Sequence, residues 1–283
     1  MRSVETIYRL ICEVATQCDN VRLVVLNGSR ANKETVLDQL QDFDIVYYVR
    51  DLSLVPNDNK WLDVFGERLI MQTLDDMIFD PPKVFDGLVY LMQFTDGNRI
   101  DLTIRELEYL DKDLNEDSLS KIILDKDHLA PHNIPDESSY FVQKPTEALY
   151  HSCINELLWV SLYVVKGIIR NEYVYAHDHL NIMRNCLKGL LNWYIGHHHD
   201  YQVNVGKHCK SYEKLLPSSY YVRFIESYRS ATCEEIIEGL YTILDFANEI
   251  ALKVSVYNHF DYDINEYEKV LEFIHRQFEQ FEV

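Results

Sequence analysis

Two carboxylates stand one residue apart in Asp42-Phe43-Asp44-Ile45-Val46, shortly after the run Asn27-Gly28-Ser29-Arg30. Side chains alternate along a strand, so Asp42 and Asp44 are expected on one face of an apolar strand. Neighbouring carboxylates repel unless a cation sits between them. Magnesium suits such a pair, because it takes hard oxygen ligands and usually shares them with substrate phosphates. A glycine turn lets backbone N–H groups approach a phosphate with no Cβ in the way. The combination points to metal-assisted transfer of a nucleotidyl group.

A third acid, Asp101, lies between Ile100 and Leu102 and faces away from both in an extended chain. Placed beside a metal-bound pair, it could accept the proton of an attacking hydroxyl or complete the metal shell. A lone strand aspartate is commonly just a solvated residue on an open face. Three on the strands of one sheet are harder to explain that way.

The elements around these acids read as α/β. Residues 3–18 carry an apolar stripe at helical spacing, formed by Val4, Ile7, Leu10, Ile11 and Val14. Strands are expected at residues 22–26, 42–49, 68–72, 88–94 and 99–104. The last two flank Thr95-Asp96-Gly97-Asn98, whose Asp-Gly pair is a strong hairpin signal. The sheet is expected to be mixed, with all three acids on its strands.

The pattern changes after a loop at residues 130–136, which holds Pro131 and Pro135. Helical spacing then recurs at residues 146–170, 176–194, 218–228, 233–256 and 265–281, with Pro145 where a first helical turn would begin. The second half therefore reads as an all-α bundle. The expected division is 1–140 for the α/β domain and 141–283 for the helical domain. His197-His198-His199 is expected at an exposed helix end.

Composition narrows the class. A 283-residue chain that is 47% hydrophobic can bury a real core. No apolar run is read as approaching the ~20 residues of a membrane span, and the N-terminus lacks a signal-peptide pattern. Six scattered cysteines without a CxxC pair read as reduced thiols, so a cytoplasmic protein is expected. The net charge of −19 argues against a nucleic acid partner. It suits a cationic substrate, although acidity also simply keeps a protein soluble.

The chain resembles the aminoglycoside 6-adenylyltransferases, the streptomycin-inactivating branch of the nucleotidyltransferase superfamily. Matching runs in the first half are Asn27-Gly28-Ser29-Arg30, Gln41-Asp42-Phe43-Asp44-Ile45, Phe65-Gly66 with Met71-Gln72, Asp96-Gly97-Asn98 through Asp101-Leu102-Thr103, and Leu124-Asp125-Lys126-Asp127. In the second half they are Tyr163-Val164-Val165-Lys166-Gly167 with Arg170-Asn171-Glu172, and Asp178-His179-Leu180. The resemblance implies an N-terminal nucleotidyltransferase domain, a helical C-terminal domain, ATP as co-substrate and Mg2+ as cofactor. The implied reaction moves AMP to the 6-hydroxyl of the streptidine ring. Asp42 and Asp44 would hold the metal, Asp101 would complete the catalytic set, and Gly28, Ser29 and Arg30 would meet the polyphosphate.

In the helical half, Lys166 could snorkel to water or reach the triphosphate, and its place in a matching run favours the phosphate. Asp178 is read as a drug contact over a helix-end charge. Glu156 is read evenly as a drug contact or a solvated helix carboxylate. Trp159 could stack on the drug but is expected in the core. A monomer is expected, with no membrane partner. The alternatives are transfer to another aminoglycoside or small hydroxyl compound such as a lincosamide, and a non-catalytic binding or toxin–antitoxin module on the same fold.

Overall fold

The structure is a computed structural model that describes residues 1–32, 38, 40–81, 86–130, 134–230 and 232–282. Pro131, in the expected interdomain loop, lies outside the described residues. The chain divides into two compact units, Met1–Ser139 and Tyr140–Val283.

The first unit opens with helix α1 (Val4–Gln17), capped by Ser3, whose side chain accepts from the Thr6 amide. Its apolar stripe buries Ile7, Ile11 and Ala15. Strands β1 (Val21–Asn27), β2 (Phe43–Val49), β3 (Arg68–Thr73), β4 (Leu88–Phe94) and β5 (Arg99–Glu106) follow, then the short helix α2 (Leu110–Glu116) and strand β6 (Lys121–Asp125). The six-stranded sheet runs β3-β4-β5-β2-β1-β6. Among the described residues only the β2–β5 neighbours are parallel, so the sheet is mixed.

Alternation along β2 and β5 separates core from chemistry. Phe43, Ile45 and Tyr47 on β2, and Ile100, Leu102 and Ile104 on β5, point into one apolar cluster with Ile7 and Ile11 of α1. Each such buried side chain contributes about 1.5–3 kcal/mol. The Tyr47 hydroxyl donates to the Ile11 carbonyl at 2.6 Å, tying α1 to that face. Part of the opposite face is covered by a smaller cluster of Leu23, Val25, Tyr48 and Leu110. Asp44 and Asp101 alternate with the core residues and are only half-buried.

In this unit β2, α2 and β6 differ from the sequence expectation. Asp42 lies one residue before β2 rather than on it. Helix α2 and strand β6 were not expected, and β6 forms the sheet edge beside β1.

The second unit contains α3 (Glu147–Ile169), α4 (Tyr173–His198), α5 (Tyr212–Leu215), α6 (Ser218–Glu226), α7 (Cys233–Asn258) and α8 (Ile264–Phe281). Thr146 and Thr232 cap α3 and α7, the latter in a reciprocal box with Glu235. Pro145 therefore precedes the cap instead of occupying the first turn. Helix α3 turns tightly into α4: Asn171 takes a positive φ of 57°, and the Glu172 amide donates to the Gly167 carbonyl at 2.8 Å. A Cβ at Gly167 would lie 2.9 Å from the Ala176 Cβ, so only glycine allows that approach. Helix α3 is long and apolar enough to cross a membrane by length and composition alone. In this unit its Leu157, Leu158, Val160, Val164, Val165 and Ile168 are core residues packed with α4 and α7. His197, His198 and His199 close α4 at its end, with His198 and His199 exposed.

Candidate active site

Strand β1 delivers the chain to Asn27, and Gly28 then turns it with a left-handed φ of 68°. Gly28–Arg30 form a single 3-10 turn. A Cβ built on Gly28 would stand 2.3 Å from Asp44 Oδ2 and 3.1 Å from its Cγ. The carboxylate of Asp44 therefore rests directly against the glycine. This close approach, in addition to the positive φ, is why glycine stands there.

Register aligns the rest. Asn27 is the partner of Asp44 across β1–β2, and Asp44 is the partner of Asp101 across β2–β5. Partners across adjacent strands share a face at strand spacings of about 4.7–4.9 Å. One row thus carries Asn27, Asp44 and Asp101 over the core. Asn27 accepts a hydrogen bond from the Ser120 hydroxyl at 3.2 Å, which steadies the turn from β6's side of the sheet.

Asp42 and Asp101 meet at a residue the sequence reading overlooked. Arg99 Nε and Nη2 donate to the two carboxylate oxygens of Asp101, both at 2.8 Å. Arg99 Nε also lies 3.6 Å from Asp42 Oδ2. The hydrogen bonds to Asp101, then the charges of Asp101, Asp42 and Asp44, hold the guanidinium above its usual range. The signal was available, because residues 99 and 101 share a strand face just as 42 and 44 were expected to.

Arg30 also departs from expectation. Its Nε donates to the Asp42 carbonyl at 2.9 Å and its Nη2 to the Gln41 carbonyl at 2.7 Å. The guanidinium lies 4.0 Å from the centre of the Phe43 ring. It is 9% exposed and braces the backbone leading into β2. Ser29 sits half-buried in the turn itself.

A cleft of about 390 Å³ opens at Arg99, lined also by Ile70, Gln72, Asp76, Leu91 and Gln93. Leu91 is the register partner of Asp101, and Gln93 that of Arg99, so the cleft continues the same sheet face.

The helical-unit candidates lie on α3 and α4. Glu156, Trp159, Tyr163 and Lys166 follow helical spacing along one stripe of α3. Trp159 is 58% exposed, contrary to the core position expected of it. Its indole N–H donates to the Tyr163 hydroxyl at 2.9 Å. The Tyr163 ring packs at 5.2 Å from His179, which in turn lies 4.1 Å from Tyr175. Lys166 is exposed, with its ammonium 5.2 Å from the Tyr163 ring centre. Asp178, in the second turn of α4, is 72% exposed and 3.8 Å from His177 Nδ1. Glu156 is also exposed. The core left this stripe bare because Leu157, Leu158, Val160 and Val164 already fill the other side of α3.

The sequence matches the family described as streptomycin adenylyltransferase over residues 1–277. The chain belongs to that family. A relative from Campylobacter jejuni, described as aminoglycoside 6-adenylyltransferase, is 35% identical over 98% of this chain and 96% of its own. One of the same description from Staphylococcus aureus is 34% identical over 99% of this chain and 100% of its own. The crystal structure of an aminoglycoside 6-adenyltransferase from Bacillus subtilis aligns over 98% of this chain and 99% of its own, at 28% identity and a TM-score of 0.49.

Membership of the streptomycin adenylyltransferase family makes the protein a nucleotidyltransferase and implies ATP as co-substrate. Divalent metal is a further question. Among the described residues no three carboxylate, imidazole or thiol side chains are gathered as a ready ligand set. The acids still fit a magnesium ion. They are hard oxygen donors, with Asp44 packed against Gly28, and magnesium takes one or two carboxylates with the balance from phosphate and water.

Proposed function

We propose that this protein transfers AMP from ATP to the 6-hydroxyl of the streptidine ring of streptomycin, with Mg2+ as cofactor, in the cytoplasm and as a monomer. The observation that carries the reading is the row Asn27–Asp44–Asp101, with Gly28 packed against the Asp44 carboxylate. The relatives described as aminoglycoside 6-adenylyltransferases supply the substrate class and the ring position.

Asp42 and Asp44 would hold magnesium, which offsets charge on the attacking and leaving oxygens of an in-line displacement. Backbone N–H groups of the Gly28–Ser29 turn bind the polyphosphate. Arg30 supports this indirectly, by fixing the carbonyls that lead into Asp42. Asp101 accepts the proton of the antibiotic hydroxyl as its oxygen bonds to the α-phosphorus. The bond to the bridging oxygen breaks and pyrophosphate leaves.

Streptomycin carries two guanidino groups and an amine, and guanidinium pairs with carboxylates through paired charge-assisted bonds. Asp178 and Glu156 are the carboxylates assigned to it. The exposed indole of Trp159 offers it a flat apolar surface. Lys166 is assigned to phosphate oxygens, where an ammonium acts as a point charge.

Mass spectrometry of streptomycin after incubation with protein, ATP and Mg2+ tests the reading. One added adenylyl group is expected with the wild type and none with Asp44→Asn. An unmodified drug, with another aminoglycoside adenylylated in the same assay, would shift the substrate within the class. No modification across an aminoglycoside panel would sink the reading.

A further inference from the structure

Arg99 is placed where a metal-binding acid cluster has little use for a permanent cation. It leaves β5 on the same face as Asp101 and grips both oxygens of that carboxylate at 2.8 Å. The same Nε reaches towards Asp42 at 3.6 Å. Asp44 stands beside Asp101 in register, and its charge also acts on the guanidinium. A single side chain, carried on the chain itself, thus serves all three acids.

We propose that Arg99 is a built-in counter-ion, which holds Asp42 and Asp101 while the site is empty of substrate and yields them when a divalent cation and the attacking hydroxyl require them. Three features support the exchange. Carboxylates on neighbouring register positions repel, and a cation beside them relieves that repulsion when no metal does so. An Asp101 with both oxygens occupied by a guanidinium is poorly placed to take a proton, so catalysis by Asp101 requires release. Release also has a path: the Arg99 side chain is 39% exposed and lines the cleft beside Gln72, Leu91 and Gln93. The guanidinium can swing along the sheet face without crossing the core. Arg99 is the more open partner, 39% exposed against 20% for Asp101, so a divalent charge entering from its side can compete for the acids.

Arg99 is then a positioning residue acting through Asp101 and Asp42. The opposite role is a scaffold that holds the acids ready for metal. The two differ in the sign of one measurement, made with Mn2+ as the probe and no nucleotide present. Calorimetry or the electron paramagnetic resonance signal of free Mn2+ gives the affinity. Arg99→Gln should bind Mn2+ roughly fivefold or more tightly than the wild type, since it removes the competing cation. Arg99→Lys should fall between them, because an ammonium keeps the charge but loses the paired contact.

Equal or weaker binding by Arg99→Gln overturns the inference and makes Arg99 a scaffold. Melting curves establish that the variants fold. Should Arg99→Gln fail to fold, Arg99→Lys decides alone, with tighter binding than wild type supporting the exchange and equal or weaker binding overturning it. The inference rests on the proposed metal role of the acids. No Mn2+ uptake by any of the proteins, even with ATP added, would overturn that role and the inference together. Tighter binding in a protein that modifies no aminoglycoside would leave the inference standing and remove only the drug assignment.

Discussion

A methyl group at residue 28 would meet Asp44 Oδ2 at 2.3 Å on a backbone already at a positive φ of 68°. Gly28→Ala therefore has two separable effects. The left-handed backbone costs about 1–2 kcal/mol of stability. The Cβ also forces Asp44 aside, and a displacement of about 1 Å in a reacting group costs on the order of a hundredfold in rate. Denaturant unfolding should register the modest loss, and pyrophosphate release the large one. A variant that keeps wild-type turnover would mean that Asp44 need not stand where the turn holds it. At this scale the sequence disclosed the acids and the glycine, because strand alternation and the Gly-Ser signal are local. It did not disclose Arg99, although the same alternation by two applied. Repulsion between the carboxylates suggests a metal, but the chain itself also supplies a cation two residues before Asp101. Adjacency to a glycine turn likewise does not reveal that the Arg30 guanidinium donates to the Gln41 and Asp42 carbonyls.

Elements with strong periodicity were legible, and elements held by tertiary contacts were not. Helices α1, α3, α7 and α8 are legible from apolar positions at helical spacing. Helix α2 is only seven residues, two of them aspartates, and it is held from outside: Tyr48 donates to Asp113 at 2.9 Å and Arg105 pairs with it at 3.0 Å. Strand β6 is five residues with no fully buried position, so no alternation marks it. Trp159 shows the limit on α3, where apolar residues surround much of the helix and periodicity leaves the bare face undefined. The αα-turn that brings α3 against α4 depends on Gly167, whose added Cβ would lie 2.9 Å from the Ala176 Cβ and 3.0 Å from its amide nitrogen. Backbone cannot yield as a flexible side chain does. Gly167→Ala should therefore behave as overpacking, destabilising the helical unit by about 1–3 kcal/mol. Urea unfolding followed by circular dichroism would measure it. A neutral result would mean that the turn relaxes and that the α3–α4 spacing is less constrained than the close approach implies.

The whole molecule carries a net charge of −19, and its two proposed substrates have opposite charges. That opposition separates steering from mere solubility. A negative field attracts a tricationic drug and repels the nucleotide, and both effects act beyond contact distance. Salt removes them together, since the Debye length falls from about 10 Å at 0.1 M to about 3 Å at 1 M. Raising sodium chloride over that range should raise the Michaelis constant for streptomycin. The constant for ATP should stay level or fall at saturating Mg2+. Local ion pairs at Asp178 and Glu156 would also weaken with salt, so the double variant Asp178→Asn, Glu156→Gln provides the control. It should start from a higher constant yet keep a salt slope, because the remaining acids still set the field. Constants for drug and nucleotide that rise in parallel would indicate a general salt effect on the enzyme. A flat response for streptomycin would leave the acidity as a solubility feature and confine drug recognition to contacts inside the site.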